Sequence, residues 1–167
     1  MTTLEDARIL AGELKKRSPL VRGVDLIGSV AKHGTGHDVD LAILVDDDVA
    51  RQWWAAEERN IRPKWPHFLL PVRRFCKIVF RPFDHFLIAG REARKRARAS
   101  RLLGVDLDKL VSLRPNVPYI DSFLFPKDWR DGIKPDLALM ESIAQVQGDW
   151  RAKAFFEYAA RDAIRIA

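Results

Sequence analysis

Two aspartates, Asp38 and Asp40, frame a single valine at the start of the run "DVDLAILV". On a strand such neighbours face the same way with Cα atoms ~6.5 Å apart. Their carboxylates can then converge on a hard cation such as magnesium, which takes oxygen ligands and keeps waters and substrate phosphates as partners. An acid opening a buried strand is costly unless something positive compensates it, and a cation would do so. Upstream, Gly28 and Ser29 close the preceding apolar run. Glycine lets a backbone approach closely, while free amides at a helix start and a serine hydroxyl suit phosphate oxygens. Lys32 and His37 stand in the same segment as further phosphate contacts.

The elements that must position these groups follow from periodicity. "LVRGVDLI" reads as a strand that stops at Gly28, and "VAKH" as a short helix. In "DVDLAILV", alternation puts Val39, Leu41, Ile43 and Val45 on one apolar face and Asp38, Asp40, Ala42 and Leu44 on the other. Before them, Leu4, Ala7, Leu10, Ala11 and Leu14 recur at helical spacing, with Thr3 and Asp6 as a capping pair and Ser18-Pro19 as the stop. Asp46, Asp47 and Asp48 suit the positive end of the helix "VARQWWAAEERN" and are assigned to it, not to a metal.

Farther along, Pro63, Pro66 and Pro71 mark a loop, "VRRFCKIVF" a strand, and the later part of "FDHFLIAGREARKRARASRLL" a helix. "NVPYIDSFLFP" is a second strong strand. "KPDLALMESIAQVQ" and "DWRAKAFFEYAARDAIRIA" read as two helices split at Gly148-Asp149. The fold class expected is α/β (α+β): a mixed sheet flanked by helices in a core over residues 1–130, with a C-terminal helical pair over 131–167 packed on the same domain.

Gly28-Ser29, "VAKHGTGH" and Asp38-Val39-Asp40-Leu41 together resemble the Gly-Ser, Asp-x-Asp signature of the DNA polymerase β-like nucleotidyltransferases, especially the minimal ones. The resemblance covers residues 20 to 46 well and the rest loosely. It departs from the family in the short loop between Ser29 and Asp38 and in His33, where glycine is frequent.

The resemblance implies that Asp38, Asp40 and a third aspartate hold two Mg²⁺ ions about 3.5 to 4 Å apart. Gly28, Ser29 and Lys32 would contact the nucleotide, whose α-phosphorus is attacked by an acceptor hydroxyl with release of pyrophosphate. Two acids fit the third place. Asp84 follows Arg81-Pro82 and leads into a helix, which suits an N-cap. Asp121 lies inside an aromatic-rich strand, where a metal would compensate it, and is preferred. Gly28 to Gly34 is no Walker A loop, lacking the lysine after the last glycine.

Composition narrows the partners. A net charge of +6 leans toward polyanions such as RNA, DNA or a nucleoside triphosphate. Arg91, Arg94, Lys95, Arg98 and Arg101 fall near one helical face, which is either a solvated surface or a track for a nucleic-acid backbone. Trp53 and Trp150 read as core. Cys76 is the single cysteine, so no internal disulfide can form, and no apolar run reaches the ~20 residues that span a bilayer. A cytoplasmic, magnesium-dependent nucleotidyltransferase is expected. The competing expectation is a non-catalytic module that kept the fold and binds nucleic acid or a protein partner, such as a toxin.

Overall fold

The computed structural model describes residues 1–61, 93–130 and 161–167. The chain opens with strand β1 (Thr2–Thr3) and helix α1 (Leu4–Arg17). Thr3 caps α1 as expected: its hydroxyl accepts from the Asp6 amide while Asp6 accepts from the Thr3 amide. The cap is extended by Arg114, whose Nε donates to Asp6 at 2.7 Å. Ala7, Leu10, Ala11 and Leu14 form the buried stripe.

Strand β2 (Gly23–Ile27) runs into helix α2 (Gly28–His33), which ends at Gly34 in the left-handed region (φ 77°). Strands β3 (Thr35–Gly36) and β4 (Val39–Val45) follow, then helix α3 (Asp47–Ile61). The Asp46 carbonyl accepts from the amides of Val49 and Ala50, so the aspartates do mark a helix start. Helix α4 is described over residues 93–103, followed by α5 (Leu107–Val111), strand β5 (Ile120–Pro126) and strand β6 (Ile164–Arg165).

The architecture is mixed α/β, built on a four-stranded sheet of order β5-β4-β2-β6; β1 and β3 pair separately. β4 runs parallel to β5 and antiparallel to β2, and β2 pairs antiparallel with β6. Val39, Leu41, Ile43 and Val45 are buried as expected, and Ala42 and Leu44 are buried on the opposite face. Beyond Asp40 the strand is therefore covered on both sides, which its unbroken apolar run reflects. Trp53 and Trp54 are core residues, and the Trp54 indole donates to the Leu124 carbonyl at 2.7 Å.

One expectation fails at the C-terminus. The helix read through to Ala167 gives way before Ile164, where the chain becomes an edge strand on β2. The physical reason is that "IRI" alternates at period two and β2 offers a row of unpaired backbone groups. Ile166 N donates to Val24 O at 3.0 Å, and Val24 N donates to Ala167 O at 2.9 Å. The expectations for residues 62–92 and 131–160, Asp84, Cys76, Trp150 and most of the helical pair among them, lie outside the described residues. No helix among the described residues is long and apolar enough to cross a membrane.

Candidate functional site

Register assembles the acids. Asp40 on β4 is the Cα partner of Asp121 on β5 and of Ile27 on β2, so the two carboxyl-bearing side chains leave one face of the sheet on adjacent parallel strands. Asp38 precedes β4 and is half-buried, like Asp40 and Asp121. Tyr119, just ahead of β5, donates its hydroxyl to Asp38. That hydrogen bond, burial, and the negative charges of Asp38, Asp121 and Asp40 push the phenol pKa up to about 12. A single phenol thus registers all three acids.

Gly28 is the other wall. It adopts φ +74°, and a Cβ there would overlap Asp40 Oδ2. A side chain at position 28 is excluded twice, by backbone conformation and by the aspartate seated on it. Gly36 plays a similar part for Ser29, whose Oγ lies where a Gly36 Cβ would go. Ser29 is exposed in the first turn of α2 and Lys32 is exposed near its end. No side chain caps the start of this helix. The fold therefore brings Gly28, Asp40 and Asp121 together, with Asp38 tied to them through Tyr119.

The third carboxylate is already engaged. Lys95 from α4 places Nζ on Asp121 Oδ1 and lies 3.6 Å from the centroid of the Phe123 ring. This corrects the expectation that Lys95 shares a basic face with Arg94, Arg98 and Arg101: it is 7% exposed. The reason is visible in the spacing, because Lys95, Ala99 and Leu103 fall on one stripe, and that stripe is the buried one. Arg94 and Arg101 are exposed and Arg98 is half-buried. Arg91 and Asp84 lie outside the described residues.

Asp38 and Asp40 supply carboxylate oxygens, the ligand type a hard cation takes, and Asp40 fills the space that a side chain on Gly28 would need. Among the described residues, however, no three His, Cys, Asp or Glu side chains are grouped so as to hold a metal ion.

Two residues on or beside this face were not singled out by sequence. Tyr119 stands two residues before Asp121, a spacing that would have placed it on the same face. Asp25 is fully buried on the face that carries Asp40, one step along the strand, and accepts from Trp129, Arg130 and Arg165. No family model matches the chain, and neither a curated protein nor a solved structure does.

Proposed function

We propose that the protein is a cytoplasmic, magnesium-dependent nucleotidyltransferase that moves a nucleoside monophosphate from a nucleoside triphosphate to an acceptor hydroxyl, releasing pyrophosphate. The observation that carries this reading is the seating of Asp40 on Gly28 beside Asp121, which sets carboxylates against the exposed start of α2. Asp38 and Asp40 would hold magnesium, which supplies charge neutralisation at the reacting phosphate and activates the attacking hydroxyl.

Ser29 and Lys32 offer a hydroxyl and an ammonium to the phosphate tail. Asp121 stands beside Asp40 as the third carboxylate. The net charge of +6 and the exposed Arg94 and Arg101 favour a nucleic-acid acceptor, with protein or small-molecule hydroxyls as other classes.

A second reading has its own observation. Asp121 and Asp38 already have protein partners in Lys95 and Tyr119, an arrangement that a non-catalytic nucleic-acid-binding or partner-binding module would also tolerate. The deciding experiment supplies each nucleoside triphosphate labelled at the α- or the γ-phosphate, with Mg²⁺ and total RNA, short DNA or cell protein. Transferase activity moves α-label and never γ-label to the acceptor. Absence of α-label on every acceptor supports the binding module.

A further inference from the structure

We propose that the outer face of α1 binds a second copy of this chain, the two helices crossing antiparallel with Gly12 at the point of contact. The inference is independent of the reaction proposed above.

α1 turns Ala7, Leu10, Ala11 and Leu14 into the core. Its opposite face is an open groove of about 320 Å³ lined by Glu5, Arg8, Ile9, Gly12, Glu13 and Lys16. Gly12 stands in the middle of this helix, although glycine is the poorest helix former after proline. No neighbour among the described residues requires it: its φ is not positive, and a Cβ added there would meet nothing within 4 Å. What a glycine on an open helix face does permit is close approach of a second backbone.

The groove is complementary to itself. Glu5, Ile9, Gly12 and Lys16 follow one another at steps of four, three and four, so they share the line opposite the buried stripe. Laid antiparallel on its own copy, this line sets Ile9 against the other copy's Gly12 and Glu5 against the other copy's Lys16. Each pairing recurs about the two-fold axis, the isologous form that closes at a dimer. A branched side chain then fills the gap that glycine leaves, and the charges at the two ends fix direction, because a parallel arrangement would bring Glu5 onto Glu5 and Lys16 onto Lys16. Lys16 lies 3.0 Å from Glu13 in its own helix, an exposed ion pair that costs little to exchange. One helix per chain is a small contact, so the association is weak and depends on concentration.

Sedimentation velocity of the full chain from about 10 μM to about 1 mM tests this, spanning the affinities of a weak dimer. Wild type should pass from monomer to dimer. Gly12→Leu, which fills the groove, should weaken association at least tenfold, yet melt no lower than wild type because the added side chain enters open space. Glu5→Lys and Lys16→Glu should each weaken it at least threefold, and the double variant Glu5→Lys/Lys16→Glu should restore it.

A wild type that stays monomeric throughout, or a dimer unchanged in Gly12→Leu, would overturn the proposal. So would a Gly12→Leu protein that melts below wild type, since the glycine would then serve the fold of the single chain. A double variant as weak as the single ones would overturn the antiparallel pairing.

Discussion

Asp25 and the Asp38–Asp40–Asp121 group are acids on one sheet, and they differ in what they are given to hold. Asp25 is fully buried, and its oxygens accept from Trp129 Nε1 at 2.9 Å, Arg130 Nη2 at 2.9 Å and Arg165 Nε at 2.5 Å. Those donors come from the segment after β5 and from β6, so the carboxylate ties the end of the chain to the middle of the sheet. Trp129 adds a stacked ring contact with Phe125 at 4.7 Å. One step along the strands, the other three acids are half-buried, beside the glycine cradle and α2. A carboxylate paired with arginines in the core holds structure together; like charges gathered where water can reach them are the ones that could take part in chemistry.

The contrast breaks most visibly in stability. Asp25→Ala should cost about 3–5 kcal/mol, because it leaves cationic partners in a site built around a negative charge. Asp40→Asn should change stability by less than about 1 kcal/mol, since it keeps the shape of the side chain at a half-buried position. Urea denaturation of the two variants measures both, and equal losses would erase the distinction between the regions.

Gly28→Ala probes the cradle. The added Cβ meets Asp40 and forces a left-handed conformation, with an expected loss of about 1–2 kcal/mol. Nucleotide transfer should fall about 10²-fold as the carboxylate is displaced. Retained transfer in a folded Gly28→Ala protein would show that the Gly28 contact does not position Asp40.

A smaller effect separates the α1 cap from the site. Burial opposes ionisation of Asp6, but hydrogen bonds from Thr3 and the Arg114 guanidinium outweigh it and hold the pKa below the ordinary aspartate value. A depressed carboxylate stabilises the fold above its unfolded pKa, and this contribution disappears as pH falls through the folded value. Arg114→Gln should therefore cost about 1–2 kcal/mol at neutral pH. That cost should shrink in acid as Asp6 becomes protonated, and a constant cost across this range would contradict the assignment.

The smallest expected signal is spectroscopic. Tyr119 ionises near 12, against about 10 for a free phenol. Its hydrogen-bonded neutral form favours the fold below pH about 10, and that contribution is lost as pH rises through about 12. The chain has two tyrosines, so phenolate absorbance in a Tyr158→Phe background isolates Tyr119. Asp38→Asn should bring the titration down toward the ordinary value. An unchanged titration would mean that Asp38 is not its partner.

Much of the frame was legible before any coordinates. The Thr3–Asp6 cap, the alternation of "DVDLAILV" and the breaks at Gly28 and Asp46 are local signals carried by a few neighbouring residues, and local signals survive folding. The same alternation placed Asp40, and the aromatic strand placed Asp121, although their pairing needed the parallel register of β4 and β5.

What escaped depended on contacts distant in sequence. The partners of Asp25 lie more than 100 residues away. The role of Lys95 depends on which stripe of α4 turns inward, and Arg-rich neighbours masked the Lys95, Ala99, Leu103 spacing. The strand at Ile164 was hidden because two residues of alternation are too few to outweigh the helical pattern before them.

The central claim, that the half-buried acids do chemistry and Asp25 does not, is tested most directly by transfer of α-labelled nucleotide with Mg²⁺ in wild type, Asp38→Asn and Asp40→Asn. The account predicts labelled acceptor with wild type and a loss of at least about 10²-fold in each folded variant. Transfer that persists at wild-type rates in both variants would contradict it.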